Sequence, residues 1–391
     1  MLPARAQALL DGIPEDEHRR LSETRRDLHR HPELGFEETR TSRLVADRLT
    51  ALGLAPRTGV GRTGVTVDPG AVSGARILLR ADMDALPLQE ESGAAYASRT
   101  PGRMHACGHD GHVAIALSMV ARLAAGKEAS RLRFLFQPAE EGAGGAAACA
   151  ADGVLEGVSA AFGLHLWNQL PVGMIGVNRG PLMAAVDEFS IDVAGPGGHG
   201  AAPHETRDAI LAAARIVDGL QSIVAREVSP LDPAVVSIGS IHGGEAFNVL
   251  PSHVRMTGTA RWFTDSAGKL LPDAVTRIAR GTAEAAGVRA EVRYRRVNRP
   301  TVNDPGMADL VTRVARSLVG EENVDTQTRT LGGEDMSIFL DAVPGCFFFV
   351  GSAPAGRHRP HHSPVFDFDE RALAIGARVF EAVALEAARV L

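Results

Sequence analysis

The chain has 391 residues, more than twice the ~150 of an average domain, which excludes a single small module. Hydrophobic residues make up 45% and charged residues 23%, an ordinary globular balance outside the disordered range. Lys and Arg number 41 against 47 Asp and Glu, and neither sign forms a long block, so neither a nucleic-acid footprint nor a polybasic membrane anchor is expected.

The first 180 or so residues alternate helical and buried-strand patterns, which predicts an α/β sheet with helices on both faces. Thr41 to Leu52 reads as an amphipathic helix stopped by Gly53, and Arg76 to Ala81 as a short strand running into Asp82-Met83-Asp84. His112 to Ala125 predicts a helix ended at Gly126. The strand Arg131 to Phe136 follows, leading into Gln137-Pro138-Ala139-Glu140-Glu141. The small-residue run from Gly142 to Ala151 reads as a tightly packed helix start, and Ala160 to Leu166 as a strand ended by His165. Functional residues of open α/β sheets gather at the carboxyl ends of strands, so these strand ends are the places to search.

From about Val186 the rhythm changes. Glu188 to Val193 alternates strictly as a strand, Asp208 to Arg226 is a long helix opened near His204, and Ala234 to Ile241 is a strand. The strand Ser252 to Phe263, the helix Lys269 to Ala286 and the strand Arg289 to Val297 complete a β-α-β-β-α-β order, which is the ferredoxin-like arrangement. After Pro300 the first pattern resumes, with a strand at Cys346 to Val350 and a closing helix from Asp369 to Leu391. The expected fold is therefore two-domain α/β: a catalytic domain over 1–182 and 299–391, with a ferredoxin-like lid inserted over 183–298. The cleft between them is the expected site.

Three scattered cysteines, Cys107, Cys149 and Cys346, do not suit a disulfide framework and point to a reducing compartment, the cytoplasm. The first twenty residues lack the apolar core of a secretory signal, and no stretch approaches 18 apolar residues, so no membrane segment is expected. The unusual inventory is histidine: 14, beside two tryptophans and two tyrosines. His105, Cys107, His109 and His112 fall within eight residues, with the imidazole and thiolate donors that zinc and related metals favour; incidental histidines at a helix start would give the same string. Glu140 and Glu141 would repel one another after an apolar strand unless a cation lies between them or one has a raised pKa. One could ligate while its neighbour takes a proton from the attacking water, although read alone the pair also fits a solvated turn. His165 read alone fits a core histidine, and His361-His362 a surface loop.

Nine motifs then stand in order: LHRHPELGFEE (28–38), LRADMDALP (79–87), MHACGHD (104–110), QPAEE (137–141), GLH (163–165), GGHGAAPH (197–204), NVLPS (248–252), GGEDMS (332–337) and HSP (362–364). Over almost its whole length the chain resembles the di-metal aminoacylase and carboxypeptidase superfamily of metallopeptidases, peptidase family M20. Within it, the resemblance is to the amidohydrolase branch that includes hippurate and auxin-conjugate hydrolases. The resemblance implies two divalent metal ions per subunit, Zn²⁺, Mn²⁺, Co²⁺ or Ni²⁺, held by Cys107, His109, Glu141, His165 and His362, with Cys107 in the bridging place. It implies Glu140 as general base, Asp84 as the acid orienting a ligand imidazole, and His199 as an oxyanion donor. Asn248 and Arg261 would hold the substrate's polar groups and carboxylate. The motif favours His362 over His361 as ligand, and gives His105 at most a supporting place. A homodimer through the lid domain is also expected.

The expected activity is hydrolysis of the amide bond of a small N-acyl amino acid or related conjugate. A carboxypeptidase or dipeptidase on the same scaffold is the alternative substrate class. A protein with a structural metal needs no base beside its ligands, and a Cys107 nucleophile would survive chelation; both remain distinguishable rivals.

Overall fold

A computed structural model describes residues 2–70, 74–124 and 126–391. The chain divides into two compact units, one running through Leu182 and resuming as Thr301–Arg329 and Asp335–Leu391, the other comprising Met183–Pro300 and Thr330–Glu334. Each unit has its own cluster of buried apolar side chains, because each sheet buries its apolar surface against helices of its own unit. The short return 330–334 falls in the second unit, whereas the expected division included it in the catalytic segment 299–391.

In the first unit the described residues form an eight-stranded sheet. Its centre is four parallel neighbours in the order Leu132–Gln137, Arg76–Asp82, Val158–Pro171 and Gly345–Ala353. Ile77, Leu78 and Leu79 are all buried, so this run is continuously apolar rather than alternating, as a parallel strand covered on both faces must be. The register pairs Asp82 with Gln137, so Asp82-Met83-Asp84 and Pro138–Glu141 leave the sheet side by side.

Two expectations near the site are corrected. The strand predicted to end just past His165 continues to Pro171, because Gly345–Ala353 pairs with it as far as that residue; His165 therefore stands in mid-strand. The helix predicted from His112 begins at His109 and ends at Leu123, and its predicted last residue, Ala125, lies outside the described residues. Gly108 explains the early start, since at φ 97° it turns the chain into the helix through a region that a Cβ disfavours. At Gly111 a Cβ would stand 2.5 Å from Leu166 Cδ1, so glycine is what lets this helix lie directly on the His165 strand.

The second unit is a four-stranded antiparallel sheet in the order Ala234–His242, His253–Trp262, Ala185–Ala194 and Arg289–Asn298. With the helices Ala209–Ser222 and Asp265–Ala285 it realises the ferredoxin-like order. The Asp208 carboxylate caps the first helix through Leu211 N–H at 3.0 Å, so His204 does not open it and lies instead in a 3-10 turn, Pro203–Glu205. The second helix starts a turn earlier than Lys269, because Thr264 Oγ1 caps it through Ala267 N–H. A separate two-stranded ribbon pairs Gly198–His199 with Val249–Leu250.

Candidate active site

The metal candidates Cys107, His109, Glu141, His165 and His362 all belong to the first unit and converge. Potential ligand atoms of Cys107, His109 and His165 lie within 4.8 Å of one another, as do those of Cys107, Glu141 and His362. Cys107 thus belongs to both groups. Cys107 Sγ is 3.4 Å from His165 Nε2, and His362 Nε2 is 3.1 Å from Glu141 Oε1.

Backbone carbonyls set which ring nitrogens are available. His109 Nδ1 donates to Asp84 O at 2.9 Å and His165 Nδ1 to Leu166 O at 2.8 Å, so in the neutral rings Nε2 carries the lone pair that faces the cluster. His109 Nε2 and Glu141 Oε1 are buried with no hydrogen-bond partner among the described residues. His109 Nε2 without a hydrogen bond, and Glu141 Oε1 with only the His362 ring 3.1 Å away, stand beside a thiol and the His165 imidazole, the donor set a divalent cation takes, so the residues fit the metal. Burial, reinforced by Glu141, Glu140 and Asp82, pushes the Cys107 thiol well up. Burial opposes protonation of His109, but Asp82, Asp84 and Glu141 outweigh it and raise this imidazole to about 10. His165, buried beside His112 and His361, is pushed well down and stays neutral.

The HSP loop separates its two histidines by a backbone turn. His362 takes φ 60° and donates its N–H to Ala106 O at 2.8 Å, directing its ring to Glu141. His361 points the other way, stacking on Trp167 and bonding Leu166 O at 2.9 Å through Nε2. Burial pushes it down to about 4.

Glu140 is 8% exposed and near its neighbour, with potential ligand atoms of His109, Glu140 and Glu141 within 4.8 Å of one another. Asp335 N–H approaches Glu140 Oε1 at 3.4 Å. Asp84 lies against the His109 imidazole through both its carbonyl and its carboxylate, and it also holds the backbone of the two glutamates. Its carboxylate accepts from the N–H groups of Glu140 and Glu141, both at 3.0 Å, and stands 3.4 Å from His109 Nδ1, whose hydrogen bond goes to the Asp84 carbonyl.

Several residues in this neighbourhood were given no role by the sequence reading. Asp82 Oδ2 is 3.7 Å from His109 Nε2 and Oδ1 is 2.6 Å from His112 Nδ1. Because Leu166 N–H donates to His112 Nε2 at 2.9 Å, His112 Nδ1 carries the proton and donates it to Asp82. Arg80 joins Asp82 at 2.6 Å, Asp335 at 2.9 Å and Gln137 at 2.8 Å, all buried. The signal was an arginine inside an apolar strand, RILLRAD, which must be paired where it is buried. Further out, the fully buried Arg25 reaches Asp110 at 2.9 Å, Asp367 at 2.8 Å and Glu370 at 3.2 Å, tying the His109 helix to the segment after the HSP loop.

The remaining candidates lie in the second unit. His199 and Asn248 come together on the two-stranded ribbon, where Gly200 N–H donates to Asn248 O at 2.8 Å. The His199 ring is exposed, and Ala201 N–H donates to its Nδ1 at 3.0 Å, which leaves Nε2 as the protonated, outward donor. Arg261 is placed apart from them on the four-stranded sheet. It is half-buried and forms no hydrogen bond or ion pair among the described residues, and burial lowers its pKa against the weaker pull of Asp187.

Comparison with known proteins places this geometry in context. A profile described as Peptidase family M20/M25/M40 matches residues 78–386. The chain is 40% identical over 376 residues to N-acetylcysteine deacetylase of Bacillus subtilis, covering 94% of this chain and 97% of that one. It is 39% identical over 371 residues to thermostable carboxypeptidase 2 of Saccharolobus solfataricus, covering 93% and 94%. The crystal structure of the Bacillus subtilis YXEP protein, described as a dinuclear metal binding peptidase from the M20 family, is similar with a TM-score of 0.83 and 34% identity, covering 97% of this chain and all of that one.

Proposed function

Because the chain belongs to the M20/M25/M40 peptidase family, we propose that it is a di-metal amidohydrolase that removes the acyl group from N-acylated amino acids or related amide conjugates. The observation that carries this is the adjacent pair Glu140 and Glu141: one lies in the ligand cluster, the other beside it and tethered at Asp335 N–H. Cys107, His109, Glu141, His165 and His362 would hold two divalent cations, Zn²⁺, Mn²⁺, Co²⁺ or Ni²⁺. When bound, such ions polarise a carbonyl and lower the pKa of water. Glu140 takes the proton of the attacking water and returns it to the departing amine. Asp84 holds the backbone of both glutamates and the ring of His109 in place. The exposed Nε2–H of His199 supplies a donor for the oxyanion, and Asn248 a polar contact to substrate. Arg261, whose guanidinium forms no ion pair among the described residues, offers its planar fork to the substrate's α-carboxylate.

The deacetylase relative favours N-acyl substrates, and the carboxypeptidase relative supports the second reading, cleavage of a C-terminal residue. Hydrolysis of N-acetyl, N-benzoyl and dipeptide substrates, measured side by side, separates the two: the proposal expects kcat/KM highest on an N-acyl amino acid. Exhaustive chelation should abolish activity and added Zn²⁺, Mn²⁺, Co²⁺ or Ni²⁺ should restore it. Activity that survived chelation but died on alkylation of Cys107 would replace this reading with a thiol nucleophile.

A homodimer through the second unit is part of the proposal. The edge strand Ala234–His242 and the exposed Ile241, Phe247 and Val249 are surfaces suited to pairing, and light scattering of the purified protein tests it. The three cysteines are free and buried, which suits a reducing cytoplasm, and no helix among the described residues is long and apolar enough to cross a membrane.

A further inference from the structure

We infer that Glu38 is a positioning residue for the general base, holding the turn that aims Glu140; the inference rests on the role proposed for Glu140. Glu38 closes the LHRHPELGFEE motif, a segment to which the reaction assigns nothing. Its side chain is fully buried, and burial pushes its carboxyl up against the hydrogen bond from Thr63. Glu38 Oε1 accepts from Ala139 N–H at 2.8 Å, and Oε2 from Thr63 Oγ1 at 2.5 Å.

Three successive N–H groups, those of Ala139, Glu140 and Glu141, therefore end on two buried carboxylates, Glu38 and Asp84. Such an arrangement fixes the direction of the backbone through the two glutamates, because each successive amide is held by a buried carboxylate oxygen. The hold is needed because Ala139 takes φ 54°, a left-handed conformation that an L-residue disfavours and that persists only when its surroundings impose it. The partners on the far side are equally close. A Cβ on Gly35, from the same motif, would lie 3.1 Å from Ala139 Cβ, so the segment carrying Glu38 lies against the turn as well as bonding it. Glu38 itself is anchored through its carbonyl, which accepts from Ser42 N–H at 2.9 Å in the first turn of the helix Thr39–Ala51.

A carboxylate that only filled space could be replaced by any side chain of similar bulk. A carboxylate that aims Glu140 needs an oxygen at the position of Oε1. Glu38→Gln keeps that oxygen, while Glu38→Ala removes it and frees Ala139 to leave the left-handed region. The test uses the full-length, Zn²⁺-loaded protein. Hydrogen exchange followed by mass spectrometry reads the amides of a peptide spanning 137–142, and steady-state kinetics on an N-acetyl amino acid reads turnover. Glu38→Ala should speed exchange of these amides about tenfold or more and lower kcat about 10- to 100-fold, with KM within about threefold. Glu38→Gln should restore both. If Glu38→Ala does not fold, Glu38→Asp, one methylene too short to reach Ala139 N–H, takes its place with the same expectations. Unchanged exchange in the shortened variants overturns the proposal, as does faster exchange with unaltered kcat. The exchange readout is independent of turnover, so a wild-type protein inactive on N-acyl amino acids would refute the amidohydrolase reading while exchange still decided the turn.

Discussion

Glu140 and Glu141 are neighbours in the chain with different surroundings, and the chemistry proposed for each rests on that difference. Glu141 shares its ligand distance with both Cys107 and His362, whereas Glu140 meets Asp335 N–H and keeps a carboxylate within reach of the same centre. Glu140→Gln preserves the oxygen that accepts from Asp335 but cannot take up a proton at neutral pH. It should lower kcat by about 10²- to 10⁴-fold, the usual worth of a general base, while metal content stays at the wild-type value. Turnover with elemental analysis of the same preparation checks this, and an active, metal-loaded variant would remove Glu140 from the mechanism. The two histidines of the HSP loop make the same point about adjacency: a left-handed turn at His362 sends one ring to Glu141 and the other onto Trp167.

Elements of the first unit are joined at their ends by charged groups as well as by the core. Asp68, just past the strand Gly64–Val67, accepts from Arg133 Nε at 2.8 Å and Nη2 at 2.9 Å and from Arg76 Nε at 2.8 Å, linking three strands. Burial would raise this carboxyl, but Arg133 and Arg76 prevail and hold it below its usual range. Its folded pKa therefore lies below its unfolded value of about 3.9, so its stabilisation is complete above that value and fades as pH falls through the folded pKa. Asp68→Asn should cost about 1.5–3 kcal/mol at pH 7, the range for hydrogen bonds to a charged group, with a constant gap down to about pH 5 and a shrinking one below pH 4. Urea denaturation of both proteins across that range measures it; a gap that stayed constant at pH 3 would mean the charge contributes nothing.

At the scale of the whole molecule, two hydrophobic clusters divide the work, and the five proposed metal ligands, Cys107, His109, Glu141, His165 and His362, all belong to the first unit. Leu271 is fully buried in the second cluster, so Leu271→Ala should destabilise that unit by about 2–5 kcal/mol through lost burial and the cavity left behind. Calorimetry should then show a transition moved to lower temperature while zinc titration of the first unit is unchanged; weakened zinc binding would show that the two cores do not unfold separately. The composition, the β-α-β-β-α-β order and the run of imidazole and thiol donors around Cys107 were legible in the chain, because periodicity and donor chemistry are local properties. Strand length and helix start were less so: Pro171 remains in the sheet only because a distant strand pairs with it, and His109 opens a helix only because Gly108 turns there. Arg80, Asp82, Asp335 and Glu38 stood within motifs but carried no legible role. Each acts through a partner far along the chain, as Glu38 does through Ala139 and Arg80 through Asp335, and a pairing of buried polar groups exists only once packing brings its two members together.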